Sequence, residues 1–315
     1  MSWNTVNIIP TPKILNNLSK KGYFFIENAV DLKVANQLLQ EVNIDNLSVN
    51  KNEIGGVYSG NQKFLSNCLT RSKIAYDLIT SPKVLDICSS YLPARYQLIS
   101  HQFAQTRRGL NMLWHTDNNQ QLDSKVLVKH QMPGLIFIIY LSEQNISPFQ
   151  YIEGSHLWSS KYDSERYISD AWVQKHYRKD IRTFEMKKGD LIIFDLHGFH
   201  RARPFQDRNH VRNIFQFQVE QINENYLGHG EQNLVNVGFI DNPSPDILNY
   251  LGFGIPRKYP ILPKTSIVTM SMPELISLYK QLFYPTLKAM ITNLGKALIP
   301  REWQLTLKDR LGSSK

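Results

Sequence analysis

The chain has 315 residues, of which 42% are apolar and 20% are charged, a composition typical of a globular protein. No apolar run reaches the length of a membrane span, and no basic start with an apolar core opens the chain, so we expect a cytoplasmic protein without stable membrane insertion. The net charge of +9 favours anionic partners. The basic residues are scattered, however, and no zinc-finger or aromatic RNA-binding motif is evident, so we predict no nucleic-acid partner.

The cysteine count also limits the class of protein. Cys68 and Cys88 are too few for a disulfide framework and too far apart for a zinc knuckle. We expect two reduced, partly buried thiols, which fits a reducing compartment.

The first 95 residues are predicted to mix helices with one short strand. Gly22 opens an aromatic strand over residues 23–26, and Asp31 is a good N-cap for the amphipathic helix that follows. The Asn-rich segment 43–70 is interpreted as loop. Helix is predicted over much of 72–90, with a break at Ser81-Pro82 where a second helix starts.

From residue 96 to residue 219 the pattern becomes one of short strands with polar connections. The central strand is predicted at Leu135–Leu141, a continuous apolar run of strand formers that is short for a buried helix. An insertion at 159–181 is polar and aromatic. Further strands are predicted at 96–105, at 114–117 and in three later runs, 182–186, 191–195 and 211–219. This spacing predicts a β-sandwich or jelly roll.

Residues 220–315 are rich in Gly and Pro and then helical. Ser271 to Glu274 fits a capping box, and the helix is predicted to run past Pro285 with a kink. The basic tail 271–311 is predicted to pack on its own barrel or to form a dimer; contact with a membrane surface is the alternative. We therefore expect one domain over 1–315, as a monomer or homodimer, with its core at 96–219 between the flanking regions 1–95 and 220–315.

A metal site is predicted around Trp114-His115-Thr116-Asp117. Two residues apart in an extended strand, His115 and Asp117 point to the same side of the sheet. One distant imidazole would complete a set of two nitrogens and one carboxylate oxygen, which holds iron(II) on one face and leaves the other face open. His200, shortly after the apolar strand 191–195, is the preferred third ligand, and His197 is the alternative.

A candidate anion clamp follows His200. Arg212 lies 12 residues later, within the next strand pattern. A buried Arg near an iron site can form a bidentate fork to a carboxylate, as the far end of a dicarboxylate cosubstrate requires. Arg208 is the alternative clamp.

The order of these motifs resembles the phytanoyl-CoA dioxygenase family of iron(II)/2-oxoglutarate oxygenases. The resemblance spans about residues 20–219 and rests on five features, which are Lys21-Gly-Tyr-Phe-Phe-Ile-Glu-Asn-Ala-Val, Trp114-His-Thr-Asp, Gly154-Ser-His, Gly189-Asp with Phe194 and His200, and Arg212. It implies a mainly β fold with flanking helices around a double-stranded β-helix (jelly-roll, cupin-like) core. It implies Fe(II), 2-oxoglutarate and O2 as cofactors and cosubstrates, with His115, Asp117 and His200 on iron.

The resemblance also implies contacts to 2-oxoglutarate. Arg212 would bind its C5 carboxylate, and Gln102 resembles a position that contacts it. No catalytic residue beyond the metal ligands is implied. The family often has Ser two residues after the distal His, where this chain has Ala202, so one hydroxyl contact is missing.

The predicted function is hydroxylation, or another oxidation, of an unactivated carbon in a small anionic substrate. Retention of Asp117 favours hydroxylation, because related halogenases replace this carboxylate with a small residue. Arg107, Arg108, Arg201 and Arg203 flank the motifs and are either solvated or bind an anionic group. An acyl-CoA or lipid hydroxylase is the first alternative, and a non-catalytic barrel that only binds ligand is the second.

Overall fold

The computed structural model describes most of the chain. The described residues are 3–42, 56–59, 62–66, 68–92, 94–107, 112–117, 121–122, 126–127, 133–142, 148–158, 167–203, 211–224, 227, 232–241, 243–255 and 272–298. The helices are α1 (Thr11–Lys21), α2 (Leu32–Val42), α3 (Lys73–Ile79), α4 (Pro82–Tyr91), α5 (Asp170–His176), α6 (Pro245–Leu251) and α7 (Met272–Leu298).

The strands cover the middle of the chain and part of its first hundred residues. They are β1 (Tyr23–Ile26), β2 (Gly56–Ser59), β3 (Gln62–Ser66), β4 (Tyr96–Arg107), β5 (Trp114–His115), β6 (Gln121–Leu122), β7 (Val126–Leu127), β8 (Gly134–Tyr140), β9 (Phe149–Ile152), β10 (Tyr167–Ile168), β11 (Ile181–Phe184), β12 (Leu191–Asp195), β13 (His200–Ala202) and β14 (Val211–Gln221).

Two antiparallel sheets form the core. The larger has seven strands in the order β1-β12-β8-β14-β4-β3-β2, and the smaller has five in the order β10-β5-β13-β9-β11. The fold class is therefore confirmed: the protein is mainly β, with flanking helices around a double-stranded β-helix core.

The central strand β8 packs against the smaller sheet on one face and against the helices on the other. Every residue of β8 is buried, as its continuous apolar sequence predicts. Ile136 and Ile138 pack towards the smaller sheet with Phe149, whereas the alternating residues Phe137 and Ile139 pack with the helical layer. The cavity of the barrel thus lies between the sheets, and the helices cover the outer face of the larger sheet.

Several local predictions are confirmed by the structure. The strand at Tyr23–Ile26, the helix after Asp31 and the break between α3 and α4 are all present. At that break Ser81 accepts a hydrogen bond from the Val84 N–H, as an N-cap does. Both cysteines are free and buried.

The prediction of a loop over 43–70 is wrong. The segment 43–70 contains the hairpin β2–β3, whose second strand pairs with β4 and extends the larger sheet. Its polar sequence did not indicate these two strands, which lie at one edge of the sheet. The connection after Asp117 holds a second small hairpin, β6–β7.

The C-terminal helix α7 continues through Pro285, as predicted. Ser271 of the proposed capping box and the tail after 298 lie outside the described residues. Within the part of the chain that the structure describes, no helix is both long and apolar enough to cross a membrane. The division of the chain into 1–95, 96–219 and 220–315 stays a prediction.

Candidate metal centre

The structure brings the three predicted ligands together. Atoms of His115, Asp117 and His200 that can bind a metal all lie within 4.8 Å of one another. His200 Nε2 is 3.3 Å from Asp117 Oδ2, and His115 Nε2 is 3.9 Å from Asp117 Oδ1. Two nitrogens and one carboxylate oxygen at these separations fit one divalent ion bound on a single face.

The strand pairing explains why the two imidazoles meet. His200 in β13 is the register partner of His115 in β5, and the centroids of the two rings are 4.4 Å apart. Asp117 does not continue the strand as predicted; β5 ends at His115 and Asp117 occupies the following bend. Its backbone N–H donates to the Leu196 carbonyl at 3.2 Å, which ties this bend to the turn preceding His200.

Both imidazoles present the same nitrogen to the centre. His115 Nδ1 lies 2.9 Å from the Leu113 carbonyl, and His200 Nδ1 lies 3.1 Å from the Gly198 carbonyl. A carbonyl oxygen only accepts, so each Nδ1 carries the proton and each Nε2 keeps its lone pair for a metal. The backbone thus fixes the tautomer that metal binding needs.

The turn that precedes His200 packs against the buried side chain of Tyr151. A Cβ atom on Gly198 would lie 1.7 Å from the Tyr151 hydroxyl oxygen, so only glycine fits there. Ser155, from the Gly-Ser-His motif, accepts a hydrogen bond of 2.8 Å from the Phe199 N–H. This motif therefore holds the turn next to His200 and does not belong to the group of possible ligands.

The alternative ligand His197 is directed elsewhere. Its Nδ1 and its backbone N–H both lie 2.8 Å from Asp195 Oδ1. Tyr91 donates to the other oxygen of Asp195 at 2.6 Å. Among the described residues, the group that could hold a metal ion contains His200 and not His197.

The three predicted ligands line a cavity of about 250 Å³ between the two sheets. Its wall is mostly apolar and aromatic, and it also includes Gln102, Arg212 and Ala202. Arg212 is buried, with 8% of its surface exposed. The predicted ligands and both predicted 2-oxoglutarate contacts therefore line one cavity. Arg208, the alternative clamp, lies outside the described residues.

A tyrosine that the sequence analysis missed also lines this cavity. Tyr140 ends β8 on the same face as Ile136 and Ile138, and its hydroxyl lies close enough to Arg212 for the guanidinium to lower its pKa. Burial raises the pKa of Tyr140 although Arg212 opposes this, so the hydroxyl stays protonated. In the sequence Tyr140 is one more strand former in an apolar run. Its position at the end of a central strand was the only signal that could have indicated a role in the cavity.

The prediction that the four flanking arginines are solvated or bind an anionic group is wrong for Arg201. Its side chain is buried and forms an ion pair with Asp170, so it is neither solvated nor available to a substrate. It points away from the cavity because it alternates with His200 along β13. Arg203 is exposed, the side chain of Arg107 is not described, and Arg108 lies outside the described residues.

The family model described as Phytanoyl-CoA dioxygenase (PhyH) matches residues 18–208, more than half of the chain. The chain belongs to the phytanoyl-CoA dioxygenase family. As a member, it is an oxygenase-type enzyme that depends on iron(II) and 2-oxoglutarate. The match ends four residues before Arg212, so the interpretation of that side chain rests on the structure. No curated protein matches the chain in sequence.

Three solved structures share this fold. HygX from Streptomyces hygroscopicus, with nickel and 2-oxoglutarate bound, is 13% identical, with a TM-score of 0.51 over 70% of this chain and 96% of that one. The carbocyclase SnoK from nogalamycin biosynthesis is 12% identical, with a TM-score of 0.50 over 70% and 88%. The epimerase SnoN, in complex with Fe3+, α-ketoglutarate and nogalamycin RO, is 12% identical, with a TM-score of 0.50 over 67% and 83%. At these identities the likeness shows the fold alone.

Proposed function

We propose that this family member oxidises an unactivated carbon of a small-molecule substrate, with iron(II) held by His115, Asp117 and His200. The observation that carries the proposal is the convergence of these three side chains at one cavity that Arg212 also lines. Bound iron(II) supplies the oxygen chemistry: O2 is consumed, 2-oxoglutarate becomes succinate and CO2, and one oxygen atom goes to the substrate.

The protein's own contribution is binding and exclusion of water. Arg212 would bind the C5 carboxylate of 2-oxoglutarate. The Tyr140 hydroxyl, beside Arg212 in the same wall, has one proton that it would donate to the same carboxylate. Tyr140 thereby supplies the hydroxyl that Ala202 lacks. Gln102, partly buried in the same wall, is a further polar contact.

The apolar residues of the cavity wall exclude water from the site. Phe194 and Phe149 pack against the His200 ring, with centroid separations of 4.6 Å and 5.6 Å. Both side chains are buried, as is Ile138 beside them. A water-poor wall strengthens the electrostatic contacts within the cavity and protects reactive species from side reactions.

The substrate proposal is a small anionic molecule. The net charge of +9 and the exposed Arg203, next to the cavity residue Ala202, support it. Two neighbours of similar fold have been crystallised with small molecules, HygX with hygromycin B and SnoN with nogalamycin RO. A cytoplasmic location and a monomeric or homodimeric state belong to the same proposal.

The test is oxygen-dependent turnover of 2-oxoglutarate. The iron(II)-loaded protein should form succinate slowly without substrate, and Asp117→Ala and Arg212→Met should abolish this in folded protein. A screen of small acids and acyl-CoA compounds would then look for products heavier by one oxygen. Absence of succinate under all conditions would favour the non-catalytic barrel, and acceptance of acyl-CoA compounds alone would favour the alternative substrate class.

A further inference from the structure

The inference concerns the backs of the two strands that carry the imidazoles. Trp114 precedes His115 in β5, and Arg201 follows His200 in β13. Neighbouring residues in a strand point to opposite faces, so both side chains lie behind the metal centre. They are nearly inaccessible, with 0% of Trp114 and 4% of Arg201 exposed.

One carboxylate oxygen contacts both of these side chains. Trp114 Nε1 donates to Asp170 Oδ1 at 2.9 Å, and Arg201 Nη1 lies 2.9 Å from the same oxygen. The Arg201 guanidinium stacks over the Trp114 ring at 4.2 Å from its centroid. Asp170, Trp114 and Arg201 therefore form a three-residue clamp across the two strands.

Local structure holds Asp170 in this position. It is the first residue of α5, directly after Ser169, which caps the helix by accepting from the Trp172 N–H. Two residues earlier, Ile168 in β10 pairs with Trp114 in β5. Burial opposes ionisation of Asp170, but the hydrogen bond from Trp114 and the charge of Arg201 outweigh it and lower its pKa.

The backbone alone joins these strands weakly. β5 is two residues long, and its register with β13 consists of the single pair His115 and His200. A pairing of that length leaves the separation of the imidazoles to the side chains. On the other side Arg201 also donates to Gln150, which anchors β13 to β9 but not to β5.

We propose that Asp170 is a positioning residue for the iron centre, which fixes the spacing of His115 and His200 through the clamp with Trp114 and Arg201. The inference deepens the proposed function and rests on it. Removal of the carboxylate leaves the buried Arg201 charge uncompensated, so the two strands shift to solvate it. Groups that hydrogen-bond directly to metal ligands commonly change metal affinity by about 10- to 100-fold, and Asp170, which acts through the neighbours of the ligands, should act at the lower end of that range.

An ion pair elsewhere in the same sheet provides the control. Glu153 Oε2 lies 2.7 Å from Arg182 Nε; the Glu153 carboxylate is partly exposed, as that of Asp170 is, but the Arg182 side chain is 43% exposed whereas that of Arg201 is 5% exposed. The control pair bridges the end of β9 and the strand β11, neither of which carries a predicted ligand. Glu153→Ala therefore removes an ion pair from the same sheet without touching the clamp and without leaving a buried charge uncompensated.

The experiment compares wild type with Asp170→Ala, Asp170→Asn and Glu153→Ala. The dissociation constant for iron(II) is measured anaerobically by competition with a chromophoric chelator, and the melting temperature of each metal-free protein is measured alongside. We expect Asp170→Ala to bind iron(II) about 10-fold more weakly or worse. Asp170→Asn keeps an acceptor for Trp114 and should be intermediate, and Glu153→Ala should lower the melting temperature with unchanged affinity.

The possible outcomes distinguish failure of this inference from failure of the proposed function. Wild-type affinity in Asp170→Ala would overturn the positioning role, as would equal weakening in Asp170→Ala and Glu153→Ala, which indicates a general loss of structure. Should Asp170→Ala not fold, the same comparison applies to Asp170→Asn. A folded wild type that binds no iron(II) would overturn the proposed function as well.

Discussion

Replacement of Tyr140 by Phe removes one oxygen atom from the cavity wall and tests how 2-oxoglutarate is held. The side chain is 3% exposed, so its hydroxyl acts in an environment from which water is largely excluded. A hydrogen bond to a charged partner contributes about 1.5–3 kcal/mol. At about 1.4 kcal/mol per factor of ten, Tyr140→Phe should weaken 2-oxoglutarate binding by about 10- to 150-fold.

The assay is an anaerobic titration of the iron(II)-loaded protein with 2-oxoglutarate, followed by the visible metal-to-ligand charge-transfer band. Tyr23→Phe is the matched control, because it makes the same chemical change at a hydroxyl bonded to Glu153, away from the cavity. Iron(II) affinity should be unchanged in both variants, since neither tyrosine is a predicted ligand.

The reasoning is refuted if Tyr140→Phe binds 2-oxoglutarate as tightly as wild type does. That result would mean that the hydroxyl serves only Arg212 and that the carboxylate lies elsewhere. Equal weakening in the Tyr23→Phe control would also refute it, because the effect would then reflect a general loss of stability.

Three further predictions concern the centre and its support. Asp117→Ala should reduce iron(II) affinity by more than the about 100-fold typical of indirect partners, as chelator competition would measure, and wild-type affinity would contradict the ligand assignment. Gly198→Ala should destabilise the fold by about 1–3 kcal/mol, because its Cβ would overlap the Tyr151 hydroxyl, and an unchanged melting temperature would contradict the packing described. Burial opposes ionisation of Asp195, but hydrogen bonds from His197 lower its pKa. This stabilisation is therefore present above the unfolded pKa of about 3.9 and lost as the pH falls through the folded value, so acid should destabilise Asp195→Asn less steeply than wild type below about pH 5.

The sequence predicted the parts of the fold that local patterns encode. The apolar run of β8 and the Ser-Pro start of α4 carry their structure within a few residues. The hairpin β2–β3 was missed because polar residues at a sheet edge alternate weakly, and its strands become visible only through pairing with β4. Long-range pairing is absent from any local pattern.

The same limit applies to the site. His115, Asp117 and His200 were found because their motifs occur in a recognisable order, and the structure brings them together. Asp170 and Tyr140 belong to no such motif. Their proposed roles arise from contacts across 30 residues or more of sequence, Asp170 with Arg201 and Tyr140 with Arg212. Arg201 was misjudged for this reason, since its partner lies in an insertion with no sequence signature.

The measurement that tests the central claim most directly is the anaerobic addition of iron(II) and then 2-oxoglutarate to wild type, Asp117→Ala and Arg212→Met. The account predicts a charge-transfer band in wild type, a weak or absent band in Asp117→Ala, and a band in Arg212→Met that needs far more 2-oxoglutarate to appear. A folded wild-type protein that binds iron(II) but shows no band at saturating 2-oxoglutarate would contradict it.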